Sequence, residues 1–514
     1  MLPRLQRSEM EDLVGDLFEV GDDANVLLEL SEHLFASLDE LDEGLQPAGD
    51  WTGRDPGRRP EGDEDPLNAI VRWCRAPALG EGSLDGVRVA LKDSIAVAGV
   101  PLSYGSKVVD DYVPDEDAVV VDRLLRAGAE IVAMTNMDNL AFSGGGDTSA
   151  YGSVLNPFDP TRTAAGSSGG SGAALHYPTV DVSLGTDQGG SIRLPAAWSG
   201  AVGIKPTIGL VPYTGILGID RTFDHVGPLA RNTTDLARVL KAIAGETPAD
   251  QLRRPLHVED YVQAVEQAPD SLSSFRIGIL KEGLEGVDIE PEVADAFWAA
   301  VERMREIGAN ITEVSVPEHH HTGGIAFAGF IEGITSTVAA GGNPYQWTGH
   351  YTLDLPGALS RGIEKNGDRL PNQVKVALLV GRYLQRRYHG EIYARAQNRR
   401  GPLREAYDRA LASYDALLMP TCPVRPHVDD HSLPPVEHAL RGWSTMTNTG
   451  PMDMTGHPGL SMPAAEAGGL PVGLMLVGAF DAEAKLLEIA RTYEAQYGWL
   501  PAEAPAVGAT APSL

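Results

Sequence analysis

The chain has 514 residues, 43% of them hydrophobic and 22% charged, so it can bury a large core without a partner. Lys and Arg total 41 against 71 Asp and Glu, a formal net charge of −30. Such a field repels phosphate backbones and anionic lipid, which argues against nucleic acid and membranes as partners. MLPRLQRSEMEDL carries acidic residues where a signal peptide would be apolar, and no run of about 18 apolar residues follows, so a cytoplasmic protein is expected. Cys74 and Cys422 are the only cysteines, which excludes a disulfide framework and any Cys-x-x-Cys pair. Of the basic residues only 8 are Lys. A salt-adapted surface and an Arg-favouring codon usage both account for that bias.

Residues 9–45 carry Leu27, Leu30, Leu34, Leu38, Leu41 and Leu45 at three- and four-residue spacing, which predicts an amphipathic helical segment. Residues 46–66 are dense in Pro, Gly and charge, and the expectation is a linker or surface loop without packed helix or strand. Strands are expected at 87–97, 129–136 and 180–187, with a helix at 117–128 between the first two; this alternation predicts a largely parallel sheet covered on both faces. A helix-rich stretch at 358–416, a buried strand at 469–480 and a helix at 482–497 complete the pattern. No internal period is visible.

Two Gly/Ser-rich segments could carry chemistry, Ala165-Gly-Ser-Ser-Gly-Gly-Ser-Gly172 and Gly185-Thr-Asp-Gln-Gly-Gly-Ser-Ile-Arg193. Glycine lets backbone N–H groups approach an anion, since no Cβ obstructs them. Neither segment continues into a P-loop or a dinucleotide-binding fingerprint. Gly166-Ser-Ser-Gly-Gly170 fits a hydrolase elbow with Ser168 as nucleophile, but the Pro-containing NPFDPTRTA before it does not look like the strand that must feed one. His319-His320-His321 and the pair His427 and His431 lack helical metal-ligand spacing and read as solvated loops. Cys74 has no neighbour that would make it a thiolate and reads as packing.

A third segment, Leu91-Lys92-Asp93-Ser94, gives the glycine loops their context. Lys92 lies 75 residues before Ser167, and Ser167 lies 24 before Ser191. With these spacings the chain resembles the amidase signature family, from about Asn68 to Tyr497. The match continues through DAVVVDRLLRAGAEIV, GAVGIKPTIGLVPYTG, FDHVGPLARNTTDLA, YDALLMPT and TGHPGLSMPA. Asp187-Gln-Gly-Gly-Ser-Ile-Arg193, Tyr345–Tyr351 and Gly450–Pro458 look most like the broad-specificity amidases found beside nitrile hydratases.

The resemblance implies an α/β fold, with a central mixed sheet flanked by helices on both faces, and an N-terminal helical extension. The boundaries would be 1–60 for the helical segment and linker and 61–505 for the catalytic domain. It implies Ser191 as acyl nucleophile, Ser167 as bridging hydroxyl after a cis peptide, and Lys92 as base. The N–H groups of Gln188, Gly189, Gly190 and Ser191 would form an oxyanion hole, with Asp187 and Arg193 pinning the loop. Phe142, Phe223 and Trp347 would line the acyl pocket, while His350 and His457 would be structural. Ala165 and Asn139 depart from the residues usual at their positions. No cofactor or metal is implied.

The expected activity is hydrolysis of a small-molecule carboxamide to acid and ammonia through a Ser acyl-enzyme. The runner-up is the glutaminase component of a tRNA amidotransferase, and a third reading is a non-catalytic interaction protein on the same scaffold. A homodimer is expected through the N-terminal helical segment. If the acidic surface is salt adaptation, the thermal unfolding midpoint rises from low to molar KCl as like charges are screened. Equal midpoints would leave codon usage as the explanation.

Overall fold

A computed structural model of the protein describes residues 7–17, 24–36, 51, 53–109, 112–250, 256–339, 341–342, 349–501 and 504. The chain divides into two units, Met1–Asp50 and Trp51–Leu514. In the first, helices Arg7–Leu17 and Ala24–Ala36 replace the single amphipathic segment. Leu27, Leu30 and Leu34 are exposed there, whereas Leu28 is buried. Leu38, Leu41 and Leu45 fall outside the described residues.

The second unit is built on one twelve-stranded sheet. Its strands are β1 Asp55–Arg58, β2 Ile70–Ala76, β3 Arg88–Lys92, β4 Glu130–Thr135, β5 Val182–Asp187, β6 Val202–Lys205, β7 His225–Ala230, β8 Arg276–Leu280, β9 Asn310–Val314, β10 Ala416–Pro420, β11 Gly459–Ala467 and β12 Leu470–Val477. They lie in the order β1-β2-β4-β3-β5-β7-β6-β11-β12-β10-β8-β9. The sheet is mixed. β3 runs parallel to β4 and β5, and β8 runs parallel to β9 and β10. The other pairings are antiparallel, so the largely parallel sheet expected from the alternating pattern is not what forms. The β11–β12 hairpin and the return of β6 and β7 alongside β5 supply the antiparallel centre.

Successive residues of a strand face opposite sides of the sheet, and here both sides are buried. Val89 and Leu91 enter a core shared with Val120 and Leu124 of helix Val119–Arg126 and Leu240 of helix Thr233–Ile243. Ala90, between them, enters a second core with Ala173, Ile192 and Ala196. Helices therefore cover both faces. The stretch 358–416 is mostly helical, in helices Leu355–Asn366, Asn372–Tyr388 and Glu391–Leu411, and ends at the start of β10. Among the described residues no helix is long and apolar enough to cross a membrane.

One correction concerns the stretch expected to hold no strand. Residues 55–58 form β1, at the sheet edge against β2. An edge strand tolerates Pro56, whose missing N–H costs no ladder bond on the open side. Gly57, at φ +66°, fits where any Cβ would lie 1.7 Å from the Trp73 carbonyl oxygen. Arg54 then anchors the stretch through a paired contact with Asp117, 2.7 Å to each carboxylate oxygen.

Candidate active site

Lys92 is the last residue of β3, and its parallel neighbour β5 ends at Asp187, so the two strands deliver their C-terminal ends to one edge. There Lys92 Nζ lies 2.7 Å from Ser167 Oγ and 2.8 Å from Thr186 Oγ1. All three side chains are fully buried. Burial pushes the Lys92 ammonium down to about 7, against the pull of Asp138, Asp187 and Asp224. Ser167 follows a cis peptide from Gly166. That segment is held at both sides, since the Asp138 N–H donates to the Ser167 carbonyl and the Gly166 N–H to the Gly144 carbonyl. Ala165 just before it sits at φ +61°, the left-handed region where glycine is preferred, which explains the residue usual at its position.

The second glycine segment is a loop between β5 and helix Arg193–Trp198. Asp187 folds back over it, accepting from the N–H groups of Gly190 at 2.6 Å and Ile192 at 3.1 Å. Gly190 was expected among the oxyanion donors, but its N–H is spent inside the loop. No hydrogen bond engages the N–H groups of Gln188, Gly189 and Ser191 among the described residues. Gly190 has φ +141°, and a Cβ there would meet Thr449 Oγ1 at 2.3 Å; one on Gly189 would meet Met446 Sδ at 2.8 Å. Backbone and packing therefore demand glycine at 190, while at 189 the cavity wall crowds any side chain.

Arg193 pins this loop as expected, but with a second carboxylate. Its Nε and Nη2 lie 2.9 Å from the two Asp187 oxygens, and Nη2 also lies 2.7 Å from Asp453 Oδ2. Nη1 donates to the Thr449 carbonyl at 2.8 Å. Burial opposes the Asp187 carboxylate, yet the Arg193 guanidinium outweighs it and holds Asp187 well below the usual range. The GPMDMTG sequence contained Asp453, but nothing in its spacing signalled an ion pair with a residue 260 positions earlier.

Ser191 lines a cavity of about 520 Å³. Phe142, Phe327, Phe330, Ile331, Trp443 and Met446 form most of its apolar wall. Ser143, Gln188, His320 and Thr322 add polar points, and no Asp, Glu, Lys or Arg lines it among the described residues. Of the aromatic residues expected there, Phe142 is in the wall, edge-to-face with Trp443 at 6.2 Å. Phe223 is not; it is fully buried one layer behind, its ring 5.3 Å from that of Phe330. Trp347 lies outside the described residues.

The remaining candidates are placed clearly. Ser168 is fully buried, its hydroxyl 3.2 Å from the Thr186 carbonyl, and does not line the cavity. His319 is no solvated loop residue: Pro317–His321 is a short helical turn, with the His319 ring buried 2.6 Å from the Tyr407 hydroxyl and both His319 and His320 in the cavity wall. Burial pushes His319 down to about 4. His350 pairs with Glu116 and His457 with Asp408, both away from the cavity. Asn139 is buried and donates to the Gly105 carbonyl. Burial raises the Cys74 thiol to about 12, which suits packing and not a nucleophile.

The family model described as Amidase matches residues 73–487. The chain belongs to the amidase family. The amidase is a hydrolase acting on carbon–nitrogen bonds. It is 37% identical over 450 residues to the A component of the glutamyl-tRNA(Gln) amidotransferase of Anaeromyxobacter sp. (strain K), covering 85% of this chain and 88% of that one. It is 36% identical over 460 residues to the enantioselective amidase of Rhodococcus rhodochrous, covering 86% and 85%. Among solved structures it superposes on the peptide amidase of Stenotrophomonas maltophilia with a TM-score of 0.65 at 28% identity, covering 84% and 89%.

Because Arg193 balances two buried carboxylates, Arg193→Met should cost roughly 3 to 5 kcal/mol of stability, the usual result of breaking a buried ion pair. A thermal unfolding midpoint within a degree of the parent would show that the clamp is not what holds the loop.

Proposed function

We propose that the amidase hydrolyses uncharged carboxamides, with Ser191 as nucleophile, Ser167 as proton relay and Lys92 as base. The observation that carries this reading is a fully buried lysine at hydrogen-bond distance from Ser167, with Ser191 at the wall of an apolar cavity. A serine hydroxyl attacks a carbonyl only when a base takes its proton, and desolvation makes a lysine such a base. As an amine, Lys92 turns its two N–H groups toward Thr186 Oγ1 and the Thr186 carbonyl, leaving its lone pair for the Ser167 hydroxyl.

Ser191 then attacks the amide carbon while its proton passes through Ser167 to Lys92. The N–H groups of Gln188, Gly189 and Ser191 receive the developing oxyanion, which such donors stabilise by a few kcal/mol each. The proton returns to the amide nitrogen, the C–N bond breaks and ammonia leaves. Water repeats the sequence on the ester, releasing the acid and regenerating Ser191.

Specificity follows from the wall. Free glutamine would bring a carboxylate and an ammonium to a cavity without a fixed charge to pair them, at a steep desolvation cost. The similarity to the amidotransferase component favours the glutaminase as a second reading, but the lining favours the broad-specificity amidases found beside nitrile hydratases. The exposed Leu27, Leu30 and Leu34 remain, in this reading, the surface for a second copy.

Ammonia release from propionamide, isobutyramide, benzamide and free glutamine tests the substrate class. Turnover of the neutral amides without glutamine is expected, and glutamine alone would promote the second reading. Ser191→Ala should lower kcat/KM by at least about 1,000-fold with the fold intact, as removal of an acyl nucleophile does. A fluorophosphonate probe found on Ser168 instead would reassign the nucleophile. Lys92 must be neutral to act, so kcat/KM should fall as pH drops below about 7; a Lys92→Ala variant keeping that acid limb would remove Lys92 from the mechanism.

A further inference from the structure

The mechanism uses one of two fully buried lysines. The other, Lys205 at the end of β6, belongs to a network that does not line the cavity. Its Nζ lies 2.7 Å from the His457 carbonyl, 3.3 Å from the Pro206 carbonyl and 3.3 Å from His225 Nε2. His225 opens β7 directly opposite Asp187 in the β5–β7 ladder. Its Nδ1 lies 2.8 Å from the Phe223 carbonyl and 3.4 Å from Asp453 Oδ1. The ring thus joins Lys205 to the carboxylate that grips Arg193, and every one of these side chains is shielded from solvent.

We propose that the two buried lysines differ in charge in the working enzyme: Lys92 is a neutral amine, while Lys205 is an ammonium that keeps Asp453 ionised and thereby positions the Asp187–Gly190 turn. Two independent counts lead there. The first is of protons. Two carbonyl oxygens can only accept; burial holds the His225 ring neutral and its Nδ1–H is donated to the Phe223 carbonyl, so Nε2 accepts as well. Three acceptors match the three N–H groups of an ammonium. An amine would have two, and its lone pair would face a third lone pair. Around Lys92, by contrast, Ser167 carries a hydroxyl proton that an amine lone pair can receive.

The second count is of charge. Asp187 and Asp453 bring two negative charges to one buried site and Arg193 returns one positive charge. A charged Lys205 closes the balance without adding a group to the loop. Burial works the other way, pushing Lys205 down to about 7 and, with Asp187 beside it, raising Asp453. The discharged pair would put a proton on Asp453, where Oδ2 already accepts from Arg193, Oδ1 has no hydrogen-bond partner, and the acceptor in reach, Asp187, already accepts from Arg193 as well. Of the further charged groups near, Arg400 also attracts Asp453 but spends its guanidinium on the Met454 and Thr222 carbonyls and Gln397, Glu483 faces Lys205 and accepts from the Thr207 N–H, and the His457 ring turns to Asp408, so none of them hydrogen-bonds Asp453.

Lys205 is thus a positioning residue acting through Asp453, Arg193 and Asp187. The proposal rests on the reading of Lys92 as the base, and NMR titration of the parent amidase labelled at the lysine side-chain nitrogens separates the two. The chain has only 8 lysines, and the six outside the site are not fully buried. One resonance should titrate close to neutrality and one should stay an ammonium through roughly pH 9. Two resonances titrating near neutrality would overturn the Lys205 assignment. None doing so would remove Lys92 as base and leave Lys205 standing.

Kinetics give the functional half. Lys205→Met should lower kcat by about 100-fold with KM within about 3-fold, since the turn serves the oxyanion more than the bound amide. Adding Asp453→Asn discharges the stranded carboxylate and should recover at least about 10-fold of that loss, a coupling that general loss of packing would not produce. A double variant no better than Lys205→Met would overturn the charge-balance role.

Discussion

The parallel pairing of β3 with β5 is the constraint on which the site depends. Leu91 opposite Leu184 sets the register, and from that register Lys92 and Thr186 emerge side by side at the strand ends. One residue of slip would turn Lys92 to the opposite face, into the packing that holds Val89 and Leu91. The same pairing places Asp187 immediately before the glycine loop, so lysine, threonine and loop form one rigid construction. Both sheet faces around it are covered by core, and slippage would expose all of that apolar surface at once.

That burial is also the chemical resource. A lysine in water at neutral pH is an ammonium and cannot take a proton; the same lysine in a dry pocket loses its proton because the pocket solvates the charge poorly. The dryness that activates Lys92 in the proposed mechanism threatens the ions behind the loop. They survive by mutual compensation, with Arg193 shared between Asp187 and Asp453 and Lys205 reaching Asp453 through His225. In the proposed reading, one low-dielectric interior thus discharges one lysine and sustains the other, and the neighbours' hydrogen-bonding capacity decides which is which.

Much of this was legible in the sequence. The Lys, Gly-Ser-Ser-Gly-Gly-Ser and Gly-Gly-Ser-Ile-Arg segments carry their chemistry locally, so their residues, spacing and cis peptide were readable from resemblance. Asp187 and Arg193 were readable too, being six positions apart on one turn. Asp453 was not, because its role exists only after a residue from a distant helix is folded against Arg193. Phe223 shows the same limit: an aromatic in a matching segment announces burial, but only the fold distinguishes the ring in the wall from the one supporting it. The antiparallel centre of the sheet was hidden because strand direction depends on connections and not on hydrophobic pattern. β1 was hidden because a Pro and a Gly, poor strand residues in general, suit an edge.

The cavity wall and the glycine loop are not separate parts. A Cβ on Gly189 would lie 2.8 Å from Met446 Sδ and 3.1 Å from Phe330 Cζ, so two side chains that line the cavity also pack on the backbone that, in the proposed mechanism, faces the reacting carbonyl. Trimming either residue to admit a bulkier acyl group would slacken that backbone, trading turnover for breadth. Phe142 and Trp443 support each other across the cavity without being among the atoms nearest either glycine of the pair. Evolution, or a designer, can reshape that half of the wall while the catalytic half keeps its tension.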